Sequence, residues 1–415
     1  MAVVPGLVES VTETQFVLEV ENAESFDGRS IRSYLEQLES PSPRFRRWLQ
    51  RIDPRREAIV LGMPALSVSH LDGRVVADSS HGAFKRIEDK VLLQEDLPDL
   101  FPDTWSGSLD EFLLSGFDAP TSGTSVITTD GSSGFQHASE ATFVMRPGSS
   151  ELFLKEIARF GPTVGLRVMP LYRGRPIGVD VIVGRSSEFI AEPVEHLTFM
   201  TGEDSVRLLF AGATNVWVPS KGEMLAIEDE IRRVISSLRH RYGFLGPATI
   251  DGVLTNGRLR VTEINSRWQG SHQLAARGFE SFDFHLYCSL IRLPEISDVG
   301  VMKFSRWYSS RARDRYCHLW LRTMAVSRGS AYRISYSSDG YSFASTSLHV
   351  ELDTEVVGAA SWLGDTLRIV LEPRHLGSRS SAAAGVVRRV LQSADAALNL
   401  GLPDLVPIHE GAING

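Results

Sequence analysis

The chain has 415 residues, a formal net charge of -8, and 42% hydrophobic, 23% charged and 9% aromatic residues, which is ordinary usage for a globular protein with a packed core. At about 150 residues per domain, the length suggests two to three domains. The acidic balance argues against a duplex nucleic-acid binder, and the lack of any run of about 18 apolar residues argues against a membrane-spanning chain.

The N-terminus has neither a basic nor an apolar leader segment, and Cys288 and Cys317 are the only cysteines. They are read as two reduced thiols in a cytoplasmic protein. No internal repeat and no zinc-type Cys/His spacing is visible.

In chain order, a short β-like start at Phe16 to Val20 precedes a charged helical stretch from Arg29 to Arg51. Glu57 to Pro64 reads as strand then turn, and Gly62 lacks the partners of a dinucleotide-binding glycine pattern. Phe84 to Leu93 is expected to be one helix with Ile87 and Val91 facing inward and Lys90 on an adjacent surface, where a solvated lysine is the plain reading. Residues 98–124 are rich in loops. Ser125 to Thr129 is a strand running into Asp130-Gly131-Ser132-Ser133-Gly134. Such a loop offers consecutive backbone N–H groups and hydroxyls to a phosphate, or it is an ordinary turn.

Glu151 to Glu156 reads as an apolar strand entering a short connector, and Gly165 to Val183 as a hairpin turning at Arg173-Gly174. Irregular strands are expected from Glu195 to Pro219, with His196 and His240 as lone histidines, satisfied or solvated. The clearest helix is Glu223 to Tyr242. Ile227, Ile231, Val234, Ile235, Leu238 and Tyr242 form one stripe on it, and Gly243 stops it.

Chemistry is concentrated in Ala248 to Ala275. Ile250 to Leu254 and Arg258 to Ile264 are strands joined through Thr255-Asn256-Gly257. A two-residue turn at Asn256-Gly257 would pair Asp251 with Thr262 and send Asp251 and Glu263 to opposite faces. A three-residue loop with Gly257 left-handed pairs Asp251 with Val261 and puts Asp251, Glu263 and Asn265 on one face. Apolar alternation fits either register; the three-residue loop is chosen because only it makes one site. Two carboxylates and an amide oxygen are hard ligands suited to Mg²⁺ that also bridges phosphates. Two residues on, Arg267 can hold a phosphate or carboxylate in two parallel bonds. Gly270-Ser271-His272 then leaves the sheet with small and polar groups that could meet a substrate.

The run T-E-I-N-S-R-W-Q-G-S, with Asp251 on the preceding strand, resembles the metal-binding strand of the ATP-grasp ligases. The resemblance covers roughly Ala83 to Arg292. It implies an ATP-grasp fold of two α+β subdomains gripping ATP (residues 83–294), an N-terminal α/β domain (1–82) and a C-terminal α+β appendage (295–415). By the same resemblance ATP and Mg²⁺ are the cofactors, with Asp251, Glu263 and Asn265 as metal ligands. Lys90, in Asp89-Lys90, would reach the nucleotide phosphates, with Thr128, Asp130, Gly131, Ser132, Ser133 and Gly134 also at the ATP. Lys155, Glu156, Ile157 and Ala158 resemble the hinge that receives adenine. Arg167 and Arg267 would be the catalytic cations; for Arg167 the alternative is an exposed strand arginine. Gly270, Ser271 and His272 would touch substrate. The chain departs from the family in having Thr128 and Thr129 where a lysine usually precedes the glycine-rich loop. Arg146, Lys155 or Arg167 could supply that charge. A ribose-binding acid is not obvious before Arg167.

Beyond residue 295, Arg306, Arg311, Arg313 and Arg315 alternate with aromatic residues in a basic patch. Strands are expected at 318–326, 331–336, 341–345, 349–352 and 366–371, followed by an alanine-rich helix from Ser380 to Leu400. The expected function is an ATP-dependent ligase joining a small carboxylic acid to an amino-acid or peptide amine through an acyl phosphate. Length, the atypical phosphate site and the C-terminal region look most like actinobacterial peptide ligases of secondary metabolism, such as the pheganomycin type. The alternatives are a phosphotransferase that stops at phosphorylation and a nucleotide-binding protein without catalysis. No nucleic acid or membrane partner is expected, and a homodimer is among the open assemblies.

Overall fold

The computed structural model describes residues 40–58, 60, 68–76, 83–114, 123–130, 141–201, 207–267, 297–311, 315–322, 331–337, 340–346, 356–363, 366–376 and 383–408. Among them no helix is long and apolar enough to cross a membrane. Residues 16–20 and 349–352, expected as strands, lie outside this set, as do Gly131 to Gly134 and Gly270 to His272.

Near the N-terminus, helix α1 (Pro43–Ile52) starts at Ser42, whose hydroxyl accepts from Phe45 N–H. The short pair β1 (His70–Leu71) and β2 (Arg74–Val75) follows. Arg74 is buried and ties the pair to α1 through Asp53 at 2.7 Å and the Leu49 carbonyl at 3.0 Å.

The expected single helix at Phe84 to Leu93 is two, α2 (Ala83–Glu88) and α3 (Lys90–Asp96). Asp89 breaks it. Its carboxylate accepts from Val91 and Leu92 N–H, each at 3.0 Å, so it caps α3 instead of continuing α2.

A four-stranded antiparallel sheet comes next, built from β3 (Trp105–Ser108), β4 (Ser125–Thr129), β5 (Thr142–Met145) and β6 (Gly165–Pro170) in the order β3-β6-β4-β5. One face packs Ile127, Phe143, Leu166 and Val168 against α4 (Leu109–Leu114) and α5 (Ser150–Ile157). The stretch expected to be a strand at Glu151 to Glu156 is therefore helix α5. Phe153 and Ile157, four residues apart, are its buried pair.

Among the described residues the second sheet has twelve strands, antiparallel throughout, with a main path β12-β11-β7-β9-β10-β13-β17-β16-β14-β15. Its first half comprises β7 (Arg175–Val183), β8 (Glu188–Ile190), β9 (Val194–Thr201), β10 (Leu208–Thr214), β11 (Gly246–Thr255) and β12 (Arg258–Asn265). The expected hairpin from Gly165 to Val183 does not form, because β6 and β7 belong to different sheets. The chain crosses between the sheets at residues 171–174.

Helix α6 (Lys221–Tyr242) buries Ile227, Ile231, Val234, Ile235 and Leu238 on one face of this sheet, against Val179, Val181, Ile250 and Ile264. A capping box of Ser220 and Glu223 starts it and left-handed Gly243 (φ 61°) ends it; each such cap is worth on the order of 1 kcal/mol.

Helix α7 (Ser297–Arg311) packs over β7 and β8 on the opposite face through Phe304 and Tyr308 on Phe189. Strands β13 (Cys317–Arg322), β14 (Ala331–Ser337), β15 (Gly340–Thr346), β16 (Val356–Leu363) and β17 (Thr366–Leu371) continue the same sheet, since β13 pairs with β10. Helix α8 (Ala384–Leu398) covers them on the α6 side, and β18 (Leu405–Pro407) returns to β9.

Candidate active site

The β11–β12 hairpin turns through two residues, Asn256 (φ 48°) and Gly257 (φ 71°), both left-handed. That corrects the expected three-residue loop, because Thr255 pairs directly with Arg258. Yet Asp251 pairs with Glu263 and Thr249 with Asn265, so all four share a face. A β-bulge reconciles the two facts: Gly252 pairs with Val261 and Asp251 with Glu263, leaving Thr262 as the extra residue. The bulge also keeps Leu259, Val261 and Ile264 together in the core under α6. Gly252, opposite it, admits no side chain, since a Cβ there would lie 2.6 Å from the Arg260 carbonyl oxygen.

Directly paired side chains on such a ladder have Cβ atoms about 4.5–5.5 Å apart. Asn265 Nδ2 donates to Asp251 Oδ2 at 3.1 Å. Lys90, the first residue of α3, places Nζ 3.2 Å from Glu263 Oε2. Burial works to raise the Glu263 carboxyl, but Lys90, Arg167 and Arg267 outweigh it and hold the group below its usual range. Arg267 Nε lies 3.4 Å from Glu88 Oε1, which also accepts from Ser266 Oγ at 2.9 Å.

The second sheet face carries more polar groups than the sequence led us to expect. Thr249 Oγ1 donates to Asp180 Oδ1 at 3.0 Å. His196 is half-buried, and its Nε2, itself buried, lies 3.9 Å from Asp251 Oδ1. Burial lowers its pKa to about 4, so the ring is neutral at physiological pH. No local motif marks His196 or Asp180; the pairing of β7, β9 and β11 brings them to Asp251.

From the small sheet comes Arg167. It sits on β6 directly across from Thr128 on β4, on the face turned away from that sheet's aromatic core. The side chain is 1% exposed, so the reading of an exposed strand arginine does not hold. Nη2 donates to the carbonyl of Thr262, the bulged residue, at 2.5 Å, and the guanidinium lies 5.3 Å from the centre of the Phe101 ring. Nε and Nη1 are buried with no hydrogen-bond partner among the described residues. Burial pulls the Arg167 pKa down to about 10, and the group stays cationic at neutral pH. A desolvated cation with two unanswered donors is costly by several kcal/mol, and an anion arriving beside it offsets that cost.

The remaining expected residues divide. Thr128 is buried, its hydroxyl without a hydrogen-bond partner among the described residues. Asp130 accepts from Gly165 N–H at 2.9 Å and its own N–H bonds the Gly165 carbonyl at 2.8 Å, so it fixes the start of the glycine-serine loop to β6. Lys155 and Glu156 lie on α5 and Ala158 at its end, with Ile157 buried in the small-sheet core. Glu156 pairs with Arg207 on the large-sheet side. Arg146, a second candidate cation, donates to the Thr201 carbonyl at 2.9 Å where the two sheets meet.

An oxygen set of two carboxylates and one amide, with Asp251 and Glu263 facing each other, fits a hard cation that fills its shell with water and phosphate oxygens. It is not an all-protein cage: among the described residues no three His, Cys, Asp or Glu side chains are arranged to hold a metal.

No family model matches this sequence, and no curated protein does. Solved structures do resemble it. The carboxyaminoimidazole ribonucleotide synthase of Aspergillus clavatus, complexed with ATP, is 14% identical over 84% of this chain and 85% of that one, with a TM-score of 0.50. An L-amino acid ligase of Bacillus licheniformis is 12% identical over 81% and 80% of the two chains, TM-score 0.46. The N5-carboxyaminoimidazole synthetase of Staphylococcus aureus, complexed with ADP, is 13% identical; the match spans 50% of this chain and only 52% of that one, TM-score 0.38. At these identities the likeness is one of architecture, and its conclusion is that this chain has the ATP-grasp fold.

Proposed function

We propose that the cleft between the two sheets binds Mg·ATP and that the protein is an ATP-dependent ligase, joining a carboxylic acid to an amine. The observation that carries this reading is Arg167: a buried guanidinium with two unanswered donors, anchored on the Thr262 carbonyl beside Asp251, Glu263 and Asn265. A cation and a carboxylate set meeting from two sheets suit a ligand that is both anionic and metal-bearing. Asp251, Glu263 and Asn265 would hold the Mg²⁺, which supplies charge neutralisation at the phosphates.

Lys90, now on Glu263, is within reach of phosphate once that carboxylate turns to a metal. Arg167 stands across from Thr128, on the strand beside the one where the resemblance led us to expect a lysine, and takes over that charge. In this scheme a carboxylate oxygen of the acid attacks the γ-phosphorus. The β–γ bridging P–O bond breaks, ADP leaves, and Arg167 steadies the charge on the transferring group. The amine nitrogen then attacks the acyl carbon and inorganic phosphate departs, its C–O bond broken. No protein nucleophile is required. Excluding water from this face protects the acyl phosphate from hydrolysis.

Amino-acid or peptide amines, and a role in secondary metabolism, are the finer part of the proposal, supported by chain length and the atypical phosphate site. The test is ATP consumption with a panel of amino acids and short peptides, with mass detection of products. We expect one ADP, one phosphate and one amide per turnover. A phosphorylated acid accumulating with no amide in any pairing would contradict ligation.

A further inference from the structure

Resting on that reading, we infer that His196 is a positioning residue for Asp251, its Nε2 donating to the second carboxylate oxygen when the cleft holds a divalent cation. Three observations point there. His196 Nε2 is buried, has no hydrogen-bond partner among the described residues, and is aimed at Asp251 Oδ1 from 3.9 Å. That is about 1 Å beyond a hydrogen bond, a gap that a small side-chain rotation closes. The other Asp251 oxygen, Oδ2, already accepts from Asn265. With one oxygen held, a carboxylate still turns about its last torsion, where wells are broad; a donor on each oxygen fixes its plane.

The third observation is Gly178, on β7 between the two side chains. A Cβ there would lie 2.4 Å from His196 Nε2 and 3.0 Å from Asp251 Oδ1. Glycine inside a strand weakens it, and its presence marks a close approach. Here the approach is that of an imidazole to a proposed metal ligand. Phe210 meets the ring at 80°, with centroids 5.3 Å apart, and keeps it from swinging away. Partners of this kind behind a ligand typically change metal affinity 10- to 100-fold.

Mn²⁺ serves as the probe, titrated into the full chain and followed by loss of its free electron-paramagnetic-resonance signal, with circular dichroism and thermal unfolding to establish folding. His196→Leu is expected to weaken Mn²⁺ binding about tenfold or more. His196→Gln keeps an N–H donor of similar reach and is expected to stay within about threefold of the parent. Gly178→Ala should weaken binding at least as much as the Leu variant, since its methyl takes the space of the ring nitrogen and also presses on Asp251 Oδ1, and if the Leu variant does not fold, the Gln variant keeping the parent's affinity reads the contact. Leu binding like the parent, or Gln binding no better than Leu, overturns the inference. A parent that binds Mn²⁺ and loses it with Glu263→Gln, but not with His196→Leu, removes His196 alone. A parent that binds no Mn²⁺ removes the proposed metal site as well.

Discussion

Glu263 is surrounded by cations, with Lys90 at 3.2 Å and Arg167 and Arg267 acting on it from farther off. Glu88 answers Arg267 at 3.4 Å, while Lys90 and Arg167 both bear on Glu263, and in the proposed reading an incoming polyphosphate offers these cations further anionic oxygens. The carboxylate is then available to a metal. Glu263→Gln keeps shape and some hydrogen bonding but removes the ligand charge, and Asn265→Ala removes both an amide oxygen and the donor on Asp251. Each is expected to lower ATP turnover at least about a hundredfold while costing only about 1–3 kcal/mol of stability. Steady-state turnover beside thermal unfolding checks this. Either variant turning over normally with Mg²⁺ would remove these residues from the site.

At the scale of elements, the decisive feature is the bulge at Thr262. It lets a tight turn at Asn256-Gly257 coexist with Asp251 and Glu263 on one face, and it presents the Thr262 carbonyl to Arg167. Deleting Thr262 should leave a regular ladder with the faces unchanged, since Val261 and Glu263 would then alternate. Mn²⁺ binding is expected to survive the deletion while ATP turnover falls about tenfold or more, for want of the anchor on Arg167. Loss of both together would mean that the faces had changed and that the bulge sets the register.

The bulge at Thr262 went unread, although the strand carries a trace of it. Apolar residues at Leu259 and Val261 keep step, and Ile264 breaks it by one, which only an extra residue between them can accommodate. The shared face was rightly expected, but by way of the wrong turn. Helix α6 was legible throughout, because its stripe is long and capped at both ends. Helix α5 was not: Leu152 and Leu154 beside Phe153 mimic a buried strand, and only the spacing of Phe153 to Ile157 betrays the helix. The β6–β7 hairpin failed for another reason. Arg173-Gly174 between two branched stretches looks the same whether the chain turns back or crosses to a second sheet.

For the whole molecule, long-range pairing was the least readable. Residues 212–214 of β10 pair with 317–319 of β13, so the C-terminal strands extend the sheet that bears the hairpin. No local pattern announces a partner a hundred residues away. His196 is hidden for the same reason, since β9 reaches the site only through its pairing with β7.

The two sheets meet at several points. Arg167 reaches Thr262, Arg146 reaches Thr201, Arg207 pairs with Glu156, and an isolated bridge joins Phe143 to Arg207. In the proposed reading Arg167 from one sheet and the carboxylate hairpin of the other form a single site for Mg·ATP. Calorimetric titration of a non-hydrolysable ATP analogue into the full chain, with and without Mg²⁺, tests it most directly. The parent is expected to bind the analogue in a Mg²⁺-dependent way, with affinity reduced about tenfold or more in both Arg167→Ala and Glu263→Gln, each of which removes a charge-assisted contact. A parent that does not bind the analogue, or two variants that bind it as tightly as the parent, would rule out a shared Mg·ATP site.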